Sequence, residues 1–274
     1  QAIVANSGNA NCSTGEQGMR DAEGISFKLS EETGIDEKNI ALASTGIIGK
    51  YMDTTLIKEQ VDETSKRLGQ NSEEVAKSIM TTDTVPKELC IEFDGFKIAG
   101  IAKGSGMIHP NMATMLCFIV TDAKFEKGAL KKASESSFNM MSVDNDMSTN
   151  DTVLLVSTGE KTAGKKDFLE ALTAFCHEMA GMIIADGEGV TKLIEIDVGG
   201  AKTIHGARKA ARAIADSYLV KTSVFGNNPN WGRVAAAVGY SGADMVEERM
   251  KISYEVGGQK ILLFDGFAQE FDKG

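Results

Sequence analysis

Thr114 lies where a polar, turn-prone loop meets an apolar run, in the segment MIHPNMATMLCFIVTD at residues 107–122. The run from Met115 to Val120 predicts a buried strand, which places the Thr114 hydroxyl at the start of that strand. Thr is a weak nucleophile until a base removes its proton, and an N-terminal Thr can use its own α-amine as that base. Since a free α-amine titrates at about pH 7.7 to 8.0, a useful fraction of it is neutral in the cell.

Thr114 can reach that state by self-cleavage of the bond that precedes it. Its hydroxyl would attack the carbonyl of Ala113, the acyl group would shift from nitrogen to oxygen, and hydrolysis would then expose the amine. The small Ala113 side chain eases the approach, and the HPN turn at residues 109–111 can set it. The simpler interpretation is a strand-start Thr that bonds to the backbone, which is the commoner role when residue types alone are considered.

Charge and composition argue against several classes of partner. The net charge of −10 and the pI near 4.9 disfavour nucleic acid and anionic membranes, because binding to phosphate depends on clustered Lys and Arg. No apolar run approaches the roughly 18 residues that span a bilayer, and the first residues show no signal-peptide pattern. Cys117 and Cys176 lie in apolar stretches, which predicts free, buried thiols. We therefore expect a soluble, cytoplasmic protein.

Three common catalytic patterns find little support in the sequence. The histidines His109, His177 and His205 lie far apart and no CxxC pair occurs, so we expect no metal site. The segment TGIIGKY has two residues between its glycines where a P-loop needs four, and no GxGxxG follows a strand, so we expect no nucleotide cofactor. A Ser-His-Asp triad stays open, although no GxSxG motif is present.

Strands and helices alternate along the chain, which predicts a layered α/β protein with some antiparallel pairing. Hydrophobic periodicity predicts strands at residues 2–5, 40–43, 115–120, 152–157 and 193–198, an alternating segment at 91–101 around a DG pair, and a final hairpin through Gly257 and Gly258. The same analysis predicts helices at residues 126–141, 167–184 and 206–220, and an early helix with Met19, Ala22, Ile25 and Leu29 on one face. Asn71, followed by Glu74, predicts the capped start of another helix.

Seven motifs follow one another along the chain: VANSGNAN at residues 4–11, STGIIG at 44–49, MTTDTVPK at 80–87, KGSGMIHPNMATMLCFIVTD at 103–122, STNDTV at 148–153, ADGEGVTK at 185–192 and FGNNPNWGR at 225–233. Together they resemble the ornithine acetyltransferase family of arginine biosynthesis, and the match runs over the whole chain. The resemblance implies a self-processing enzyme with a Thr nucleophile, which moves an acetyl group from N-acetylornithine to glutamate by a ping-pong route. Some family members also accept acetyl-CoA. The fold implied is a layered α/β sandwich of the self-processing N-terminal-nucleophile type, with mixed sheets.

The resemblance assigns catalytic roles to three residues and a place at the cleavage site to a fourth. Thr114 matches the family nucleophile, and Ala113 matches the residue before the cleaved bond. Thr45 and Gly46 match the oxyanion hole, where a hydroxyl and a backbone N–H receive the developing negative oxygen. The alternative for these two residues is a plain Thr-Gly turn after a strand.

The resemblance also implies a substrate pocket. Lys103 matches a lysine that contacts the substrate and is a natural partner for a carboxylate. Glu188 matches the acidic residue that meets the amine end of the substrate. One Thr of the MTTDT segment belongs in the same pocket, and we prefer Thr81 to Thr82. Without the resemblance, Lys103 and Glu188 would be interpreted as ordinary turn residues.

Cleavage at Ala113 would divide the chain into an α part, residues 1–113, and a β part, residues 114–274. The resemblance implies a heterotetramer of two α and two β chains. Family members begin before QAIVANSGNAN and continue past LLFDG, so we expect both ends of the whole protein to be missing from this sequence. Two other functions stay open: a self-processing aminopeptidase or amidase that passes the acyl group to water, and a non-catalytic amino-acid-binding protein.

Overall fold

The chain divides into two compact units, Gln1–Glu188 and Gly189–Gly274. A computed structural model describes residues 1–109 and 115–269 of it. Helices alternate with strands, and the largest sheet contains both parallel and antiparallel neighbours, so the mixed α/β class with mixed sheets is confirmed. Ala113 and Thr114 lie outside the described residues.

The first unit opens with a β-α-β element. It consists of β1 (Ala2–Asn6), α1 (Gly15–Thr33) and β2 (Ile40–Ser44), and the two strands pair in parallel. Parallel neighbours need a crossover connection, which α1 supplies. The strands predicted at residues 2–5 and 40–43 are therefore confirmed.

The buried face of α1 differs from the predicted one. Ile25 is fully buried as expected, but Met19 is 64% exposed. Asp21 and Gly18 occupy the buried positions one and two turns before Ile25, respectively. The true stripe is therefore displaced by one residue, about 100° around a helix, at its first turn.

Two short helices, α2 (Thr54–Ser65) and α3 (Ser72–Ser78), follow β2. The side chain of Asn71 accepts a hydrogen bond from the Glu74 N–H at 3.3 Å, which confirms the predicted helix start. An Asn at this position satisfies one of the backbone donors that the first helical turn leaves unpaired.

A four-stranded sheet forms the centre of the first unit. Its strands lie in the order β3 (Lys87–Phe93), β4 (Phe96–Lys103), β5 (Leu116–Lys124) and β6 (Thr152–Thr162). The β3–β4 and β4–β5 pairs are antiparallel, whereas β5 and β6 run parallel. Asp94 and Gly95 both have positive φ, 46° and 81°, which is the geometry of a two-residue hairpin turn.

Helices α4 (Ala129–Ser136) and α5 (Lys165–Ala185) pack with this sheet. The predicted helix at 126–141 is shorter than expected, because Ser137 leaves helical geometry and a separate 3₁₀ turn follows at Phe138–Met140. Two more 3₁₀ turns lie at Glu37–Asn39 and Glu247–Arg249. Cys117 on β5 and Cys176 on α5 are free and buried, as predicted.

Among the described residues, one helix, α5, is long and apolar enough to cross a membrane. The prediction that no segment reaches that length is therefore wrong. The helix nevertheless packs with the sheet through a stripe of eight buried residues, Phe168, Ala171, Leu172, Phe175, Cys176, Met179, Ala180 and Ile183. Such a stripe is typical of the core helix of a globular domain.

The second unit contains α6 (Ile204–Asp216), α7 (Tyr218–Phe225), α8 (Trp231–Tyr240) and the hairpin of β7 (Lys251–Val256) and β8 (Gln259–Asp265). The hairpin turns through Gly257 and Gly258, as predicted, and both have positive φ. The Trp231 ring stacks on Phe264 with 4.8 Å between ring centroids, which is a packing role.

Two predictions fail in this unit. The strand expected at residues 193–198 has no hydrogen-bonded neighbour among the described residues; Ile196 and Val198 instead pack against a small apolar cluster that includes Ile214. The helix expected at 206–220 is broken at Ser217, whose hydroxyl accepts a hydrogen bond from the Val220 N–H at 3.3 Å and so begins α7.

Candidate active site

The predicted oxyanion residues follow directly on β2. Thr45 is 2% exposed, and its N–H donates to the Asn6 carbonyl at 3.0 Å. Gly46 has φ of 132°, and a Cβ at this position would lie 2.3 Å from the carbonyl carbon of Gly8. Only glycine fits both requirements, so the two backbone segments approach each other closely here.

Asn9 and Ala10 hold the loop that follows Gly46. The Ala10 N–H donates to the Ile47 carbonyl at 3.0 Å, and the Asn9 side-chain amide donates to the Lys50 carbonyl at 3.0 Å. On its other side, the Ala10 carbonyl accepts a hydrogen bond from the Asn150 side chain at 2.6 Å. This bond joins the loop around Thr45 and Gly46 to the segment just before β6.

The segment before β6 also fixes the residue that follows Thr114. The Met115 N–H donates to a carboxylate oxygen of Asp151 at 3.1 Å, and the Met115 carbonyl accepts from the Thr152 N–H at 3.0 Å. One residue further on, Leu116 pairs with Lys103 across β5 and β4. The position directly after the predicted nucleophile is therefore linked to the oxyanion loop on one side and to Lys103 on the other.

The structure brings Lys103 and Thr81 together. Lys103 is 2% exposed, and its ammonium donates to the Thr81 hydroxyl at 3.2 Å. Burial lowers the pKa of Lys103, although the carboxylates of Asp83 and Asp151 partly oppose that effect. A buried ammonium with one hydroxyl partner retains donors for an anionic ligand such as a carboxylate.

Glu188 lies beside the glycine-rich loop that follows Lys103. Its backbone N–H donates to the Ser105 carbonyl at 3.0 Å. A Cβ at Gly106 would lie 2.5 Å from a Glu188 carboxylate oxygen, so the glycine leaves room for that carboxylate. Ser105 also donates from its hydroxyl to the Asp186 carbonyl at 2.7 Å, which ties the two loops together twice.

A buried charge cluster underlies the substrate loops, and sequence reasoning did not identify it. The Lys87 ammonium is fully buried and donates to Asp83 at 2.7 Å and to Asp186 at 2.6 Å. Asp83 also accepts from the backbone N–H of Gly104 at 2.6 Å and of Thr81 at 3.1 Å. The only signal in the sequence was the presence of these residues inside the quoted motifs at 80–87 and 185–192.

The Lys87 charge and several hydrogen bonds keep both carboxyl groups of this cluster ionised. Burial alone would raise the pKa of Asp83, but the Lys87 ammonium and the backbone N–H groups of Gly104 and Thr81 hold it below its usual range. The pKa of Asp186 is lowered in the same way by Lys87 and by the hydroxyl and N–H of Thr84. Both carboxylates are therefore ionised around one ammonium, which fixes the positions of the loops that carry Thr81 and Glu188.

The electrostatics of Asp151 are different. Burial raises the pKa of Asp151 to about 6, although the Met115 N–H, Ser148 and the Lys103 charge act in the opposite direction. A shifted carboxyl in a cluster of candidate functional residues is a frequent property of active sites.

Four of the predicted site residues thus lie in one connected region of the first unit: Thr45, Gly46, Thr81 and Lys103. Glu188 is anchored at the edge of the same region through Ser105. Ala113 and Thr114 lie outside the described residues, so their position rests on the sequence alone.

Comparison with known proteins identifies the family of the chain. The family model named ArgJ matches residues 1–273. A glutamate N-acetyltransferase of Methanothermobacter thermautotrophicus is 48% identical over 279 residues, which cover 96% of this chain and 69% of the relative. The arginine biosynthesis bifunctional protein ArgJ of Archaeoglobus fulgidus is 45% identical, with 97% and 71% covered.

A solved structure is also similar. The crystal structure of the arginine biosynthesis bifunctional protein ArgJ from Bacillus halodurans matches with a TM-score of 0.52 and 35% identity, over 57% of this chain and 77% of the other. With a family model matched over nearly its whole length, the chain belongs to the ArgJ family, the acyltransferases of arginine biosynthesis.

Proposed function

We propose that this chain is the acetyltransferase that moves the acetyl group of N-acetylornithine to glutamate, through an ester on Thr114. Two links around Met115 carry the proposal. Asn150, the neighbour of the Asp151 that binds the Met115 N–H, is bonded to Ala10, which is bonded to the loop after Gly46. Leu116, the residue after Met115, pairs with Lys103. A nucleophile just before Met115 would therefore have oxyanion donors and substrate contacts in one region. The names of the matched relatives agree with glutamate as the acceptor.

The nucleophile forms by self-cleavage between Ala113 and Thr114, which gives an α part, residues 1–113, and a β part, residues 114–274. The fold is then a layered α/β sandwich of the self-processing N-terminal-nucleophile type. The packing of α4 and α5 on the mixed sheet supports this proposal. Two α and two β chains assemble as a heterotetramer in the cytoplasm.

In the first half-reaction, the neutral α-amine of Thr114 takes the proton of the Thr114 hydroxyl. The hydroxyl oxygen bonds to the acetyl carbon of N-acetylornithine, and Thr45 with Gly46 stabilises the oxyanion. The bond between that carbon and the ornithine nitrogen then breaks, and the ammonium of Thr114 returns its proton to the leaving amine. Ornithine departs and an acetyl ester stays on Thr114.

In the second half-reaction, the neutral amine of glutamate attacks the ester. The Thr114 α-amine accepts the proton that the attacking nitrogen loses and passes the same proton to the Thr114 oxygen as the ester bond breaks. N-acetylglutamate leaves and the enzyme returns to its starting state. The acetyl group is therefore recycled without a second donor.

The substrate contacts follow from charge. The Lys103 ammonium binds the α-carboxylate that N-acetylornithine and glutamate share, and Thr81 holds that ammonium in place. Glu188 meets the amine end of ornithine, since its exposed carboxylate projects beside Gly106. Acetyl-CoA serves as an alternative donor in the bifunctional form of this activity.

The products of one incubation test this function. Purified protein is mixed with N-acetylornithine, with and without glutamate. N-acetylglutamate that forms only when glutamate is present is the expected result. Free acetate at the same rate in both mixtures would instead show a hydrolase, and binding of ornithine without any product would show a non-catalytic protein.

A further inference from the structure

Asp83 bonds to both residues that determine where the Lys103 ammonium lies. One oxygen of its carboxylate accepts from the Gly104 N–H at 2.6 Å, and the other accepts from the Thr81 N–H at 3.1 Å. Gly104 is joined to Lys103 by a peptide bond, and the Thr81 hydroxyl accepts from the Lys103 ammonium at 3.2 Å. These contacts form a closed ring that runs from Asp83 through Thr81, the Lys103 side chain and Gly104 back to Asp83.

The ring is built from buried groups. The side chain of Asp83 is fully buried, and Lys103 is 2% exposed. Hydrogen bonds from backbone N–H groups to an ionised carboxylate are short and strong, and in a buried site water does not replace them when they are lost. A displacement of the Asp83 carboxylate would therefore be transmitted to Thr81 and Gly104 together.

The charges around Asp83 favour a second ammonium. Asp83 and Asp186 are both ionised around Lys87, so two negative charges face one positive charge and leave one negative charge in excess. An ammonium at Lys103 balances that excess. The charged groups that act on Lys103 are Asp83 and Asp151, which favour its ammonium, and Lys87, which opposes it.

A buried lysine binds a carboxylate through charge only while it keeps its proton. Burial lowers the pKa of Lys103, and the Asp83 carboxylate is the largest of the charges that oppose this effect. Within the described part of the chain, Asp83 makes no hydrogen bond to the ammonium itself, which donates to Thr81. Asp83 therefore supports the charge without occupying the hydrogens that a ligand would use.

We propose that Asp83 is a positioning residue for substrate binding: it fixes the Lys103 ammonium through Thr81 and Gly104 and keeps that ammonium charged for the substrate carboxylate. The inference rests on the proposed function, in which Lys103 binds the α-carboxylate. It does not depend on where the nucleophile lies. No proton or group is transferred to Asp83 during the reaction.

The test compares Asp83→Asn with the wild type and with Asp186→Asn. Each substitution leaves the Lys87 ammonium one carboxylate, so neither variant buries an unpaired ammonium. Asp186 is the matched control, because its side chain bonds to Lys87 and Thr84, whereas that of Asp83 bonds to Lys87, Thr81 and Gly104. Its charge is also not among those that act on Lys103.

The measurement is calorimetric binding of δ-aminovalerate as a function of pH. This probe keeps the carboxylate and the distal amine of ornithine but has no acetyl group to transfer. Its amine, like that of free Lys, stays charged up to about pH 10, so a fall in affinity between about pH 6 and 10 reports loss of the Lys103 proton. An opposite charge nearby shifts a pKa by about 1 to 3 units.

We expect the midpoint of this fall to lie about one unit lower in Asp83→Asn than in the wild type, and within a few tenths of a unit of the wild type in Asp186→Asn. A purely structural role for Asp83 would weaken binding at every pH without moving the midpoint. A midpoint of Asp83→Asn that coincides with that of the wild type would overturn the inference. An equal displacement in Asp186→Asn would do the same.

If Asp83→Asn does not fold, Asp83→Glu is measured in its place. It keeps the charge but moves the carboxylate by one methylene group, so the midpoint should stay within a few tenths of a unit. The affinity at about pH 7 should fall by roughly fivefold or more, since a hydrogen bond to a charged group contributes about tenfold or more. Unchanged affinity, or a midpoint displaced by about one unit, would overturn the inference.

The proposed function is tested separately on the same wild-type preparation. Formation of N-acetylglutamate by the wild type shows that the proposed function stands, whatever the midpoints are. Wild type that makes N-acetylglutamate but does not bind δ-aminovalerate would overturn only the inference on Asp83.

Discussion

At the scale of single residues, glycines control how closely the loops of the site approach. Gly46 and Gly106 both lie where an added Cβ would meet another chain segment, the first against Gly8 and the second against the Glu188 carboxylate. Gly49, in the same loop as Gly46, also has positive φ, but its Cβ would meet nothing within 4 Å. A comparison of substitutions at Gly46 and Gly49 therefore separates the effect of positive φ from the effect of the close approach to Gly8.

We predict that Gly46→Ala lowers kcat/KM by about a hundred- to a thousandfold, which is the usual effect of removing one oxyanion donor. The added methyl group would force the loop away from Gly8 and would move both Thr45 and the residue 46 N–H. The control is Gly49→Ala, which carries only the strain of positive φ, about 1 to 2 kcal/mol. Equal activity in the two variants would show that the close approach at Gly46 has no role in catalysis.

Asp151 also predicts a dependence of stability on pH. Because its pKa is raised from 3.8 to about 6 in the folded protein, the folded state binds the proton more tightly than the unfolded chain does. Its contribution to stability is therefore present below about pH 4 and is lost as the pH rises toward 6. Urea unfolding between pH 4 and 6 should show a smaller loss of stability for Asp151→Asn than for the wild type. Parallel curves for the two proteins would contradict this assignment.

At the scale of elements, the Lys87 cluster connects three loops that the sheet alone does not hold. Lys87 is the first residue of β3, and Asp186 directly follows α5. Gly104, whose N–H donates to Asp83, directly follows β4. One ammonium with two carboxylates thus fixes the loops that carry Thr81, Lys103 and Glu188 with respect to one another.

We predict that Lys87→Met destabilises the protein by about 3 to 5 kcal/mol, because it leaves two buried carboxylates without their counter-ion. Lys97→Met is the control. Lys97 pairs with Glu92 at 3.8 Å at the exposed end of the same hairpin, where loss of an ion pair costs about 1 kcal/mol or less. Denaturant unfolding of both variants measures the difference. Similar values for the two would show that the cluster is not a structural anchor.

Local signals were sufficient for much of the fold. Asn71 was identified as a helix cap from its neighbours, and the Gly257-Gly258 turn was identified from its residue types, since each of these structures depends on a few adjacent residues. The alternating segment predicted at 91–101 is instead divided between two strands by the turn at Asp94 and Gly95. The strand predicted at 193–198 was wrong, because a strand also needs a hydrogen-bonded partner and the sequence does not show one.

The candidate site could likewise be predicted only in part from the sequence. The pairing of Lys103 with Thr81 agrees with the preference for Thr81, which came from a family motif. The contact between Lys87 and Asp186 spans 99 residues, and Asp151 meets Met115 over 36 residues. No periodicity or local motif predicts which distant carboxylate meets which amide or ammonium. These residues became visible only when the sheet brought the ends of β4, β5 and α5 together.

At the scale of the whole molecule, cleavage is the event that would convert the described chain into an enzyme. We predict that intact-mass analysis of the wild-type protein shows two chains divided between Ala113 and Thr114, whereas Thr114→Ala stays a single, inactive chain. Thr114→Ser should be cut more slowly, because it keeps a hydroxyl but loses the β-methyl that restricts its rotamer. Full activity from uncut Thr114→Ala would return this residue to the role of a strand-start hydroxyl.

The most direct measurement is the mass of the fragment that begins at Thr114 after brief exposure of the cut protein to N-acetylornithine without glutamate. We predict that this fragment gains one acetyl group, that peptide mapping places the group on Thr114, and that added glutamate removes it as N-acetylglutamate. An acetyl group on Lys103 or on a cysteine, or turnover without any acetylated fragment, would contradict an ester on Thr114 as the intermediate of the transfer.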